Sequence, residues 1–179
     1  MRKANIIVTI CMIILLLVHM VLGSLELYGV GGIPVTWVSR ALVCFVFAHA
    51  LIGTILTIDT IKSIKKSGAH YFKENKLFWL RRFSGFLIII ALVFHLIIFM
   101  TRDKNAYRLQ EFTTIYFISQ ILLVIFIAIH VISNVKPTLI SFGITGIKKF
   151  SIDILFVLSI VFLIVLIAFI VYYIRWQVI

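Results

Sequence analysis

The chain has 179 residues, of which 63% are hydrophobic and only 13% charged, and its mean hydropathy is +1.21. A soluble domain carries about 25% charged residues, so this composition excludes water as the main solvent and predicts a chain that crosses a bilayer repeatedly. The formal charge of +11 does not indicate nucleic-acid binding, because Lys and Arg lie in short segments between apolar runs, where they set topology and attract anionic lipid.

Five apolar runs, each about 20 residues long, follow one another along the chain. A helix of that length crosses the hydrocarbon layer, so we predict an all-α bundle of five transmembrane helices that forms a single domain over residues 1–179. The first run could instead be a signal peptide, because Arg2 and Lys3 precede it. It is longer than a usual signal-peptide core and contains His19, which favours a retained helix. The predicted helices cover about 5–23, 37–61, 83–100, 113–135 and 152–174.

Basic residues predict which side of the membrane each connection occupies, since Lys and Arg accumulate on the cytoplasmic side. The connection after the second run is the most basic, whereas residues 24–39 contain no Lys or Arg. The N-terminus and the fourth connection fall on the basic side, so we expect a multi-pass protein of the cell membrane with a cytoplasmic N-terminus. The bias is a majority rather than a clean split. The exceptions are Arg40, Arg102, Lys104, Arg108 and Arg175.

The sequence contains no pattern typical of a soluble catalytic site. Cys11 and Cys44 lie inside apolar runs without a second cysteine nearby, which disfavours a disulfide scaffold, a redox motif and attachment of a c-type haem. No nucleophile elbow, phosphate-binding loop or metalloprotease motif is present. Any enzyme activity would therefore belong to a complex in which this chain is a subunit.

Histidines lie one apiece on the first four runs, where ionisable residues are rare and usually functional. At a rise of about 1.5 Å per residue, His19 and His95 both lie roughly 20 Å from the cytoplasmic ends of their helices. His130 lies roughly 9 Å from that end and His49 roughly 15 to 20 Å, a looser match. The depths predict two pairs, His19 with His95 and His49 with His130.

Two imidazoles on different helices at one depth can bind a haem iron from both faces, which suits electron transfer because no axial position stays open. We therefore predict two haem b groups, with these four histidines as axial ligands. Small residues one turn from the ligands would make room for a flat macrocycle, and Gly23, Gly53 and Ala91 occupy such positions. His70 lies in the basic connection and is left out of the site.

The order of residues in 78–100 resembles the transmembrane cytochrome b subunit of succinate dehydrogenases and fumarate reductases, in its single-subunit, five-helix, two-haem form. His19-Met20 and His49-Ala50 look similar to that family as well. The family places the ligands of one haem on the first and third helices and those of the other on the second and fourth, which agrees with the depth pairing. The matching residues are Phe78-Trp79, Arg81-Arg82, Ser84-Gly85-Phe86 and His95-Leu96.

The resemblance implies that flavoprotein and iron–sulfur subunits dock on the cytoplasmic face and that the haems relay electrons to or from a quinone such as menaquinone. Arg81, Arg82 and Ser84 would hold a haem propionate, because paired Arg suits a carboxylate; an Arg pair that only marks the membrane boundary is the alternative. Some members of the family carry a membrane glutamate two residues before the fourth-helix ligand, where this chain has Ala128. A proton path through that position is therefore in doubt.

Two other classes of membrane protein remain open. In a transporter or assembly protein, the histidines would be interhelical hydrogen-bond or proton-relay groups, although the helices contain almost no carboxylates. Ferric reductases and hydrogenase anchors usually place two histidines on one helix, and no helix here has two.

Overall fold

The computed structural model describes residues 2–30, 35–67, 75–100, 112–144 and 147–178. Over these residues the chain is all-helical, and each of its five helices is long and apolar enough to span a membrane, which confirms the predicted fold class. The side of the membrane on which the termini lie stays a prediction, and His70 lies outside the described residues. The helices are α1 (Arg2–Leu27), α2 (Val35–Ser67), α3 (Lys76–Met100), α4 (Thr114–Ser141) and α5 (Ile147–Val178).

The helices extend beyond nearly all of the predicted ends. The longest, α2, has 33 residues, or about 50 Å of helix, and therefore exceeds a hydrocarbon layer of about 30 Å. Hydropathy detects only the part of a helix that lies in hydrocarbon, whereas backbone hydrogen bonds carry the helix on into the headgroup region. The same difference appears at α4, which was expected to end at Val135 but continues through Pro137 to Ser141.

Two antiparallel hairpins and one additional helix form the bundle. Extensive helix–helix contacts join α1 with α2, α3 with α4, and α5 with both α1 and α4. Direct contacts between the hairpin α1–α2 and the hairpin α3–α4 are few among the described residues. The two hairpins are therefore joined mainly through α5, which packs against α1 and α4.

The most closely packed part of the bundle lies where α1 and α3 end and α4 begins. Phe112 is 1% exposed and stacks on Phe169 of α5, with 6.4 Å between ring centroids. Arg175 of α5 donates from Nη1 to the carbonyl oxygen of Tyr28, 2.9 Å away, just beyond the end of α1. Helix α5, which contains no histidine, thus holds the two hairpins together at this end. The core residues are Leu27, Ile98, Phe112, Val124, Phe162, Val165, Ala168, Phe169 and Tyr172.

Candidate functional site

Four histidines form two pairs, each of which joins one hairpin to the other. The ring centroids of His19 on α1 and His95 on α3 lie 6.0 Å apart, with an angle of 81° between the ring planes. Those of His49 on α2 and His130 on α4 lie 6.4 Å apart, with an angle of 86°. The structure therefore brings together the two pairs expected from helix depth. It also resolves the looser of the two matches, because His49 and His130 share one level.

The separation within each pair suits one metal ion held between two ring nitrogens. A metal–imidazole bond is about 2 Å long, and a ring nitrogen lies about 1.1 Å from its ring centroid. Two imidazoles on opposite sides of one metal therefore place their centroids about 6.2 Å apart. The observed 6.0 Å and 6.4 Å bracket this distance, which also lies within the range of about 4.5–7 Å for edge-to-face ring contacts.

The two pairs lie at different depths in the bundle. Ser39 bonds to His19 and lies ten residues before His49 on the same helix, and Gln120 stands in the same relation to His95 and His130. At about 1.5 Å per residue, ten residues separate the two levels by about 15 Å along the helix axes. The His49–His130 pair is the one nearer the end where α1 begins.

All hydrogen bonds of the four rings within the described residues are made through Nδ1. Each Nδ1 has a partner on the other helix of its own hairpin. Each of the four helices thus carries one histidine and the partner of another histidine. This is the arrangement in which a metal-binding histidine donates its other ring N–H to a nearby acceptor. The partners are Thr9 for His49 (3.3 Å), Ser39 for His19 (3.2 Å), Ser84 for His130 (3.2 Å) and Gln120 for His95 (2.7 Å).

The hydrogen bonds around Gln120 determine which nitrogen of His95 carries the proton. The hydroxyl of Ser119 donates to the carbonyl oxygen of Tyr116 (2.7 Å), so its oxygen accepts from the amide Nε2 of Gln120 (3.0 Å). The amide oxygen Oε1 of Gln120 then faces His95 and can only accept. His95 therefore donates from Nδ1, and its Nε2 presents a lone pair.

Similar reasoning applies to His130 and His19. Nδ1 of His130 lies 3.0 Å from the backbone carbonyl oxygen of Arg81, which can only accept, so Nδ1 is the donor. The hydroxyl of Ser39 donates to the carbonyl oxygen of Val35 (2.9 Å) and therefore accepts from Nδ1 of His19. Three of the four imidazoles thus direct their proton away from Nε2, the form that binds a metal.

These partners form a repeat that the sequence reading did not find. Thr9 lies ten residues before His19, and Ser84 lies eleven before His95, while Ser39 and Gln120 lie ten before the remaining two histidines. The hairpins α1–α2 and α3–α4 thus carry the same four positions in the same order. The signal in the sequence is a hydroxyl or amide side chain about ten residues before each membrane histidine.

Glycines border the histidines. A Cβ added to Gly85 would lie 3.2 Å from Cε1 of His130 and 3.4 Å from its Nδ1, so this glycine lets the ring approach α3 closely. A Cβ on Gly23 would meet no atom within 4 Å, and one on Gly53 only the guanidinium of Arg82, 3.8 Å away. Ala91, the third small residue expected near a macrocycle, is 6% exposed and packs in the interior.

The residues expected to hold a propionate have other contacts in the structure. Nε of Arg81 donates to the carbonyl oxygen of Ser133 on α4, 3.0 Å away. The guanidinium of Arg82 lies over the ring of Phe78, 5.0 Å from its centroid. Ser84 is 3% exposed, donates its hydroxyl proton to the carbonyl oxygen of Arg81 (3.1 Å) and contacts His130. Ser84 therefore positions a histidine.

The fold and the site define a helical, multi-pass membrane protein with two interior histidine pairs. Comparison with protein-family models, curated proteins and solved structures finds no match. Within the described residues, no group of three or more His, Cys, Asp or Glu side chains is arranged to hold a metal ion.

Proposed function

We propose that this chain is a dihaem cytochrome b, the membrane-anchor subunit of an oxidoreductase complex of the succinate dehydrogenase or fumarate reductase type. One haem b would lie between His19 and His95, and the other between His49 and His130. One observation carries the proposal: two histidine pairs have the separation of two axial ligands of one iron, and their Nδ1 atoms are engaged elsewhere.

The ligand count favours haem over a bare metal ion. A structural zinc ion takes four protein ligands, and a catalytic one usually three. The described residues offer two at each level, and a haem iron needs only two because the macrocycle fills the other four positions. The open space beside Gly23, one turn from His19, would leave room for the edge of a flat group.

The chemistry that haem would supply here is reversible one-electron transfer between ferric and ferrous iron. The protein's own residues hold the imidazoles through their Nδ1 atoms, which leaves Nε2 for a metal, and apolar helices surround the rings. With a histidine on each face, no axial position is left for oxygen or substrate, so the arrangement supports relay rather than catalysis.

The order of the two sites across the membrane is inferred from the two depths and from the basic residues. Lys62, Lys65 and Lys66 lie in the last turns of α2, at the end of the bundle where α1 begins. We place this end in the cytoplasm, where it would receive the flavoprotein and iron–sulfur subunits next to the His49–His130 site. The His19–His95 site, about 15 Å deeper, would exchange electrons with a membrane quinone such as menaquinone.

The test is a reduced-minus-oxidised optical spectrum with a pyridine haemochrome assay on the purified chain. We expect two b-type haems per chain, and one in the variant His95→Ala. His70→Ala is the matched control, since it removes a histidine from the basic connection and should leave both haems. A chain that stays colourless after expression with ample haem would overturn the proposal.

The orientation has its own test. Fusing alkaline phosphatase or a fluorescent protein after residue 179 reports the side on which α5 ends. We expect an active phosphatase and a dark fluorescent fusion, since five spans from a cytoplasmic N-terminus end outside. The opposite pair of results would reverse the assignment of the docking face.

A further inference from the structure

Gln120 is the most deeply buried polar side chain near the histidines. It lies on α4, is 0% exposed, and is one of the three buried polar or charged side chains among the described residues. Burying an amide costs free energy unless its donors and acceptor are satisfied. Gln120 meets this requirement through Ser119 on one side and His95 on the other. This buried side chain is thus hydrogen-bonded directly to the ring of His95.

The hydrogen bond to His95 is the shortest that any of the four rings makes. Oε1 of Gln120 lies 2.7 Å from Nδ1 of His95, against 3.0 to 3.3 Å for the partners of the other rings. An amide oxygen is also a better acceptor than the hydroxyl oxygens of Ser39 and Thr9, because a hydroxyl must also donate its own proton to another group. His95 therefore has the strongest side-chain acceptor of the four.

We propose that Gln120 is a positioning residue that lowers the reduction potential of the His19–His95 haem; this inference rests on the proposed function. A strong acceptor at Nδ1 draws its proton away and makes the imidazole a better electron donor through Nε2. Greater donation stabilises the ferric state more than the ferrous state, since the ferric iron carries more positive charge. The reduction potential of the haem at this level falls accordingly.

Ser119 keeps the amide of Gln120 in one orientation. If the amide of Gln120 rotated by half a turn, its NH₂ group would face the N–H of His95 and two donors would meet. Ser119 disfavours that rotamer because its only proton is already donated to Tyr116 and its oxygen can only accept. The side chain thus presents an acceptor to His95 in a single orientation.

The two histidine pairs should respond differently to removal of their side-chain partners. At the other level, His130 has a backbone acceptor, the carbonyl oxygen of Arg81, in addition to the hydroxyl of Ser84. Substituting Ser84 leaves that carbonyl in place, whereas substituting Gln120 removes the only acceptor found for His95 within the described residues. The potential of the His19–His95 haem therefore depends on one side chain.

The experiment is an optical redox titration of the purified chain and of Gln120→Leu, with haem content measured on each sample. Leu has nearly the volume of Gln and offers no acceptor. We expect two haems per chain, an upward shift in the midpoint potential of one haem, and no change in the other. Ser159→Ala is the control: the hydroxyl of Ser159 is exposed on α5 and donates to the carbonyl oxygen of Leu155, so we expect both potentials to stay close to those of the unaltered chain.

A second variant should shift the midpoint potential of the same haem in the opposite direction. Gln120→Glu keeps an acceptor at the same reach. Because burial favours the neutral carboxyl, this variant is titrated at alkaline pH, where ionisation makes the acceptor stronger and the same haem should shift downward. Two haems with unchanged potentials in Gln120→Leu would overturn the inference. If Gln120→Leu fails to accumulate, Gln120→Glu decides by itself: a lowered potential of one haem supports the inference, and an unchanged potential overturns it. A colourless unaltered chain would instead overturn the proposed function.

Discussion

Arg81 on α3 supplies the hydrogen bond that Ser133 on α4 cannot receive from its own helix. In a regular α-helix the carbonyl oxygen of Ser133 would accept from the backbone N–H four residues later, but that residue is Pro137, which has none. Nε of Arg81 donates to this oxygen from 3.0 Å. The contact explains how α4 continues through a proline, and it ties α4 to α3 one turn from His130.

Arg81→Leu should destabilise the chain by about 1–3 kcal/mol, because it leaves the carbonyl of Ser133 without a donor in an apolar surrounding. Thermal unfolding in detergent measures the loss. Pro137→Ala is the control, because it restores a backbone N–H that can donate to the carbonyl of Ser133. In the Pro137→Ala background, Arg81→Leu should therefore lower the free energy of unfolding by less. Equal costs in both backgrounds would contradict the assigned role.

Double substitutions test which histidines share a haem. His19→Ala combined with His95→Ala removes two ligands of one proposed site, so the double variant should keep one haem per chain, as each single variant does. His19→Ala combined with His130→Ala removes one ligand from each site and should leave none. Haem content by pyridine haemochrome separates the two results. One remaining haem in the second combination would mean that the pairing is wrong.

The near-perpendicular ring planes predict a particular magnetic signature. If each pair holds a haem iron as proposed, angles of 81° and 86° between the imidazoles would leave the two iron orbitals that bond with them almost equal in energy. Low-spin ferric haem with such ligands gives an electron paramagnetic resonance spectrum dominated by one large-g feature. We expect this spectrum from the oxidised chain. A rhombic spectrum, typical of parallel ligand planes, would show that the rings turn when haem binds.

Gly85 should be sensitive to any added side chain. The Cβ of Gly85→Ala would lie 3.2 Å from Cε1 of His130, so the ring must move by a few tenths of an ångström. We expect Gly85→Ala to lower, and Gly85→Val to abolish, the occupancy of the His49–His130 site while the other site stays filled. Phe86→Ala is the control, since Phe86 is 59% exposed on the same helix and should leave both haems in place.

The turn after α1 predicts a change in stability without a change in haem content. Gly29 has a φ of +92°, and a Cβ there would approach Nη1 of Arg175 to 3.2 Å. Gly29→Ala should therefore cost about 1–2 kcal/mol from backbone strain alone. A lowered unfolding temperature with two haems retained is the expected result. Loss of a haem in this variant would mean that the end of α1 positions His19.

Hydropathy and helical rise account for what could be read from the sequence. Five helices follow from five apolar runs, because lipid demands that each crossing segment satisfy its backbone internally. The pairing of His19 with His95 follows from depth, because distance along a helix is proportional to residue number, and His49 and His130 are then left as the second pair. Both properties are local to a single helix, so no knowledge of neighbouring helices is needed.

The tertiary structure alone decided what touches the histidines. Gln120 and His130 are ten residues apart, which turns them roughly 80° from each other around α4, so no simple periodic pattern marks both as interior. Whether Gln120 reaches His95 depends on how α3 and α4 rotate and slide against each other. The same holds for the contacts of Ser84 with His130 and of Arg81 with Ser133, whereas the propionate role expected for these two residues stays a prediction. Contacts across a helix interface depend on the rotation and the partner of each helix, and neither is recorded in the spacing of residues along one chain.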